Sequence, residues 1–195
     1  RRLESLHEEG RAARTCRSLP QFDREDELAI LERWRRLLKK GAHPAHGGVA
    51  AMLDALRAAP VEPGPDGLLH RDFYPKQVLI RPYSEAPAIV DVDTLALGPR
   101  ALDAGNFLAH LRAAALEGVA ADAIDSGRRA FLKGWDGGSA PKPAVAWFEA
   151  ASLLRLAVLD LIGPGAGAHF DLFRAGVRRL LRKTSNRPGQ EHFKV

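Results

Sequence analysis

The amino-acid sequence predicts an α+β protein that is mainly helical, with one small β segment near the middle of the chain. Apolar residues at helical spacing run through most of the first 60 residues and return after residue 99. Between them, short apolar runs at residues 78–80 and 88–90 are separated by turn residues, which predicts a small β-hairpin. This order lacks the regular βαβ alternation of a doubly wound sheet.

The helices are predicted from their end signals and their apolar spacing. Asp23 is the expected N-cap of the first helix, and Gly41 marks its end. The apolar stripe of this helix consists of Leu28, Leu31, Trp34 and Leu38. Pro99 is expected in the first turn of a later helix. The remaining helices are predicted over residues 49–59, 99–117, 121–134 and 144–162, with a last one after the glycine-rich break at 163–167.

The composition excludes several classes of protein. The 195 residues are 46% hydrophobic and 27% charged, which suits a packed domain and not a disordered chain. No apolar run approaches the roughly 20 residues that a membrane helix needs. The single cysteine, Cys16, rules out an internal disulfide and fits a reducing, cytoplasmic setting. The opening Arg-Arg-Leu-Glu lacks the basic-then-apolar pattern of a signal peptide, so none is expected there. Because it also lacks methionine, we expect a piece of a longer protein.

Two acidic positions flank the predicted hairpin. Asp72 follows a short strand that begins near Gly67, and Asp91 follows the apolar run at 88–90. Strand-end carboxylates that lie side by side can hold a divalent cation and orient a hydroxyl, and oxygen ligands of this kind suit magnesium. A single aspartate at a strand end is usually a turn or cap residue, whereas this pair with this spacing favours a functional site.

The residues around these aspartates resemble a known superfamily. The His-Arg-Asp triplet at residues 70–72, with an amide at Gln77, resembles the catalytic loop of kinases, and Asp91 stands where that pattern has a metal-binding aspartate. The stretch 98–108 resembles the aminoglycoside phosphotransferase and choline kinase branch. Only 12 positions separate Asp91 from Asp103, which leaves no room for the activation segment of a protein kinase.

The resemblance implies a role for each matching residue. Asp72 would be the catalytic residue, which accepts or orients the proton of the substrate hydroxyl. Gln77 and Asp91 would bind magnesium, with Asp93 as an auxiliary metal ligand. Structural support of the site would come from His70 and Asp103. The implied cofactors are Mg²⁺ and ATP, or another nucleoside triphosphate.

The implied fold is that of a kinase-like C-terminal lobe, in which a small β-hairpin carries the catalytic and metal-binding loops. We expect two parts of one lobe: a helical part at 1–66 that precedes the catalytic loop, and a catalytic-loop and C-terminal helical part at 67–195. No glycine-rich loop and no strand lysine with a partner glutamate is recognisable before residue 60, so the N-terminal nucleotide-binding lobe is expected to be absent. Such a fragment would be a poor kinase, and its uncovered apolar surface would favour self-association.

The predicted function is that of the C-terminal lobe of an ATP-dependent phosphotransferase, which moves a γ-phosphoryl group to the hydroxyl of a small molecule. One alternative is a pseudoenzyme or regulatory binding module without turnover, because Gln77 is one methylene longer than the expected asparagine. A protein kinase is the second alternative, and the short spacing from Asp91 to Asp103 disfavours it. The third alternative is a basic nucleic-acid-binding domain. It rests on the last 25 residues, which hold the whole net charge of +5, and leaves Asp72 and Asp91 unexplained. No membrane partner is expected.

Overall fold

The structure is a computed structural model that describes residues 18–80, 87–135, 142–164 and 167–185. Its helices are α1 (Arg24–Lys40), α2 (His46–Ala58), α3 (Ala101–Ala113), α4 (Ala121–Gly134), α5 (Lys142–Ile162) and α6 (Phe170–Ser185). Its strands are β1 (Asp66–Leu69), β2 (Val78–Leu79), β3 (Ala88–Ile89) and β4 (Ala96–Pro99). Two 3₁₀ helices, Pro75–Gln77 and Ala114–Glu117, lie directly before β2 and after α3. The predicted α+β class with mainly helical content is confirmed.

Helix α1 begins and ends where its sequence signals predict. The Asp23 carboxylate accepts the backbone N–H groups of Glu25 and Asp26, and the Asp26 carboxylate accepts the N–H of Asp23 in return. This capping box satisfies the donors that a helix N-terminus leaves without partners. At the other end, the N–H of Gly41 donates to the carbonyl of Leu37. The predicted stripe faces the core, where Leu28, Leu31 and Leu38 are buried and Trp34 is partly buried.

The strands form two separate antiparallel pairs. Val78 pairs with Ile89 in the β2–β3 hairpin, which is the hairpin predicted from the two apolar runs. Its expected turn residues Pro82 and Ser84 lie outside the described residues. The second pair, β1 with β4, places Leu69 opposite Ala96 and was not predicted. Between them, the two pairs hold the chain segments that carry the predicted site residues.

The expected start of a helix at Pro99 is wrong, because Pro99 is the last residue of β4 and α3 begins at Ala101. Gly98 lies so close to the segment before α1 that a Cβ there would overlap the carbonyl oxygen of Phe22. The N–H of Phe22 donates to the carbonyl of Leu97 at 2.8 Å. Strand β4 is therefore held by this segment as well as by β1. Pro99 lies at the end of the strand, where a proline is tolerated.

Helix α5 is the centre of the helical core, and α2, α3 and α6 pack against it. The indole N–H of Trp147, which is fully buried in α5, donates to the carbonyl of Leu56 at 3.0 Å. Arg24 donates to the carbonyls of Leu56 and Arg57, so the last carbonyls of α2 find partners. Among the described helices, α5 included, none combines the length and the apolar character needed to cross a membrane.

The contact between α3 and α5 leaves no space for a side chain at Gly105. A Cβ there would lie 2.6 Å from both the backbone nitrogen of Glu149 and the Cβ of Phe148. Because neither atom can move without shifting α5, we expect Gly105→Ala to lower the free energy of unfolding by about 1–3 kcal/mol. Urea unfolding of the purified variant measures this change.

Gly127→Ala in α4 is the matched control, because the nearest atom to its new Cβ would be 3.9 Å away. Alanine is the better helix former, so this variant should gain about 0.5–1 kcal/mol. If Gly105→Ala gained stability as the control does, the close packing of α3 on α5 would be contradicted.

Candidate active site

The loop after β1 is anchored to α3 by one carboxylate. Asp103, fully buried in the first turn of α3, accepts the backbone N–H of His70 at Oδ2 and that of Arg71 at Oδ1, both at 2.8 Å. Hydrogen bonds to an ionised acceptor are about twice as strong as neutral ones, so the backbone is held firmly at both residues. Asp72 is the next residue, so the contact with Asp103 also determines the position of Asp72.

Arg71 adopts a left-handed backbone conformation, with φ of 69°, which residues other than glycine rarely adopt. Its guanidinium lies over the ring of Phe22, with 4.1 Å from Cζ to the ring centroid. The hydrogen bond from its backbone N–H to Asp103 and the stacking of its guanidinium on Phe22 together hold Arg71 in this strained conformation. Backbone strain of this kind is concentrated at functional sites. Here it turns the chain so that the side chain of Asp72 is exposed.

His70 is a buried link between this loop and the strand that leads to Asp91. Its Nε2 lies 2.8 Å from the carbonyl oxygen of Val90, and since a carbonyl only accepts, the proton of the imidazole is on Nε2. The carbonyl of His70 accepts the hydroxyl of Thr94 at 2.7 Å. The side chain and the backbone of His70 therefore both bind the chain segment that follows β3.

Gln77 and Asp91 form a hydrogen-bonded pair. The amide nitrogen of Gln77 donates to Oδ2 of Asp91 at 2.7 Å, and the backbone N–H of Val90 donates to the carbonyl of Gln77 at 3.1 Å. Asp91 is a second residue with a left-handed backbone, at φ of 63°. Gln77 is 6% exposed while Asp91 is exposed, so the buried amide supports a carboxylate that faces solvent.

The chemistry of the Gln77–Asp91 pair fits a magnesium ion. Mg²⁺ is commonly held by one or two protein oxygens together with phosphate oxygens and water. Rotation of the Gln77 amide about its last torsion would exchange nitrogen for oxygen toward Asp91, which gives two oxygen ligands. Asp93 is exposed, and its role as an auxiliary metal ligand stays a prediction. The described residues contain no group of three His, Cys, Asp or Glu side chains placed to hold a metal ion.

A cleft of about 620 Å³ opens at Asp72. Its walls come from the loop after β1, from α3 with the 3₁₀ helix that follows it, and from α5. The polar residues that share it with Asp72 include Tyr74, Lys76, Thr94, His110, Glu117 and Arg155. Gln77 and Asp91 do not line this cleft, but Lys76, directly before Gln77, does. The other residues that line the cleft were not predicted as part of the site.

Asn106 and Arg155 form a second support of the catalytic loop that the sequence analysis missed. Asn106, fully buried in α3, donates from Nδ2 to the carbonyl of Phe73 at 3.0 Å and accepts from Nη2 of Arg155 at 2.7 Å. Arg155 also pairs with the buried carboxylate of Glu27 at 3.3 Å. One feature of the sequence indicates that Arg155 has such a role: it is a charged residue in an otherwise apolar stretch of α5.

His110 lines the cleft and stacks on Tyr74, with ring centroids 4.6 Å apart. Burial, the larger cause, and the positive charge of Arg155 together lower the pKa of His110 to about 4. The imidazole is therefore neutral at physiological pH. It offers a flat, uncharged surface in the cleft with one hydrogen-bond donor and one acceptor.

The chain is similar to known phosphotransferases. Residues 1–140 match the model of a family described as the phosphotransferase enzyme family. Among solved structures, a choline/ethanolamine kinase family protein from Mesorhizobium loti is 19% identical, with a TM-score of 0.52. That match covers 85% of this chain and 59% of the other, and at this identity it concerns the fold alone. Curated protein sequences give no match.

We expect His110 to make stability depend on pH. The pKa of His110 is about 4 in the folded protein against an ordinary value of 6.5, so between these values the unfolded chain binds a proton that the folded chain does not. Stability is then lost as the pH falls below 6.5, by about 2 kcal/mol from this residue between about pH 7 and about pH 5. Urea unfolding at both pH values measures the loss.

His110→Gln should remove that part of the pH dependence and leave the contributions of the carboxylates in place. The quantity to compare is the change in unfolding free energy between the two pH values, in the wild type and in the variant. An equal change in both proteins would show that His110 titrates normally and is not buried as described.

Proposed function

The chain belongs to the phosphotransferase enzyme family, and from that premise we propose that it transfers the γ-phosphoryl group of ATP to a hydroxyl group of a small molecule. The family expected from the His-Arg-Asp triplet is confirmed; the reaction is the proposal. One observation carries it: the backbone is fixed on both sides of Asp72. Asp103 binds the amides of residues 70 and 71, and Asn106 binds the carbonyl of residue 73. The carboxylate of Asp72, which lies between these fixed positions, is exposed and lines the cleft.

Held in this way, Asp72 is suited to act on a hydroxyl. An exposed carboxylate accepts the O–H hydrogen bond, orients the oxygen toward the phosphorus, and takes the proton as the new O–P bond forms and the bond to the leaving nucleoside diphosphate breaks. The cleft supports a small molecule as the acceptor, because about 620 Å³ lies within the range of small-molecule sites. Tyr74 and neutral His110 would contact its body.

The Gln77–Asp91 pair is the part of the site that suits Mg²⁺ with a nucleoside triphosphate. The ion, when bound, would neutralise charge on the phosphate oxygens. Asp91 would contribute the charged ligand and Gln77 the neutral one. On the same hairpin, Leu79 and Ile80 expose apolar side chains, Ile80 to 83%, and Val92 does so next to Asp91. A nucleotide base, or a domain that covers it, would bury this surface.

We further propose that the chain is the C-terminal lobe of such an enzyme and acts in the cytoplasm. The parts 1–66 and 67–195 would form one lobe, since α1 and α2 pack against α5. The match to 59% of the length of the solved relative supports a lobe and not a whole enzyme. On this proposal the glycine-rich segment that covers the phosphates lies elsewhere in the enzyme.

A pseudoenzyme is the second candidate, and Gln77 favours it. Its amide donates to Asp91 at 2.7 Å, which leaves a hydrogen bond in the place where two metal ligands would converge. Because Mg²⁺ requires near-ideal octahedral geometry, the longer side chain weakens the site if the amide cannot turn. Nucleotide binding without turnover is the behaviour that this candidate predicts.

Two substitutions separate the roles of the aspartates. Asp72→Asn keeps the size of the side chain and removes the charge that orients and deprotonates the acceptor, so ADP formation should fall about 10²–10⁴-fold while nucleotide affinity changes little. Asp91→Asn should weaken magnesium-dependent nucleotide binding as well. Turnover with candidate hydroxyl compounds and nucleotide affinity are measured on the longest form of the protein that its gene encodes.

Asp125→Asn is the matched control, because this exposed carboxylate of α4 joins neither the cleft nor the Gln77–Asp91 pair. It should leave both turnover and affinity near the wild-type values. Intact turnover in Asp72→Asn would overturn the assigned mechanism. A wild type that bound nucleotide but turned over no acceptor would favour the pseudoenzyme. Recovery of turnover in Gln77→Asn would then identify Gln77 as the cause of the inactivity.

A further inference from the structure

A second cavity, of about 720 Å³, lies among α3, α4, α5 and α6 and shares no lining residue with the cleft at Asp72. Its walls are mainly apolar and include Leu108, Leu132, Trp135, Val145, Ala146 and Leu180. A volume of this size holds a small organic molecule. Leu132 is 45% exposed, so the apolar lining reaches the surface and a ligand can enter there.

The described residues that line the cavity carry an excess of positive charge. Glu149, the one acid among its described lining residues, is 2% exposed, and its carboxylate accepts from both Arg112 and Arg128 at 2.7–3.1 Å. Two guanidinium groups share one carboxylate, so this cluster keeps a net charge of about +1 inside the fold. Lys133 and Lys142 also line the cavity, with exposed side chains.

Trp135 forms one apolar wall of the cavity. Its ring lines the cavity, and the residue is 8% exposed. The ring stacks on that of Phe131, with ring centroids 6.4 Å apart, which holds it in place. It therefore offers a flat apolar surface against which the body of a ligand can pack.

We propose that this cavity binds an amphiphilic anion, meaning a carboxylate or sulfonate with an apolar body. The apolar walls bury the body, and the two lysines with the Arg128 cluster attract the charged head. The ring of Trp135 offers a flat apolar surface to the body. This site is independent of the proposed phosphoryl transfer, because it uses none of the residues of the cleft or of the Gln77–Asp91 pair.

Dodecanoate, below its micelle concentration, is the probe, and dodecylamine and acetate are the matched ligands. Calorimetric titration of the chain should show dodecanoate binding at least about tenfold more tightly than dodecylamine, which has the opposite charge, and acetate not binding. Lys133→Gln with Lys142→Gln should weaken dodecanoate binding about tenfold and reduce its salt dependence. Leu132→Ser should weaken it about fivefold, because apolar area at the entrance of the cavity is lost.

Arg178→Gln with Arg179→Gln is the control for net charge, since it removes two exposed cations of α6 that do not line the cavity. Dodecanoate affinity should stay within about twofold of the wild type in this variant, at low ionic strength. Equal binding of dodecanoate and dodecylamine, no binding of dodecanoate, or an equal loss in the control and in the lysine variant would each overturn the proposal. Circular dichroism confirms that each variant remains folded.

Discussion

The carboxylate of Asp103 binds two successive backbone amides, and the rest of the site is arranged around that contact. It fixes His70 and Arg71 against the first turn of α3, in a conformation that Arg71 could not hold alone at φ of 69°. His70 then binds Val90, which places Asp91 next to Gln77. One buried acid thus determines where the catalytic loop lies and, through the imidazole, where the metal-binding strand ends.

Local signals predicted the parts of this structure that depend on neighbouring residues. The capping box of Asp23 and the helix end at Gly41 involve contacts within four residues, so the sequence contains them in full. Pro99 was misread because the pairing of β4 with β1 joins residues some 30 positions apart, and helix propensity cannot report that pairing. Arg155 reaches Asn106 across 49 positions, so no spacing rule could have connected them.

Helix α5 orients both the cleft and the second cavity through buried charge. Arg155 pairs with Glu27 of α1 at the cleft, and Glu149 binds Arg112 of α3 and Arg128 of α4 at the cavity. Buried ion pairs add little net stability, but loss of one partner leaves a charge uncompensated at a cost of about 3–5 kcal/mol. These pairs therefore fix the positions of α1, α3 and α4 against α5 more specifically than apolar packing alone would.

The most direct test of this account is hydrogen exchange at the two amides that Asp103 binds. In the wild type, the backbone amides of His70 and Arg71 should be protected nearly as well as those at the centre of α5. In Asp103→Asn only one acceptor oxygen remains, so at least one of the two amides should exchange about tenfold faster or more, while Leu154 keeps its protection. Fast exchange of both amides in the wild type, or unchanged protection in Asp103→Asn, would contradict the central role of this carboxylate.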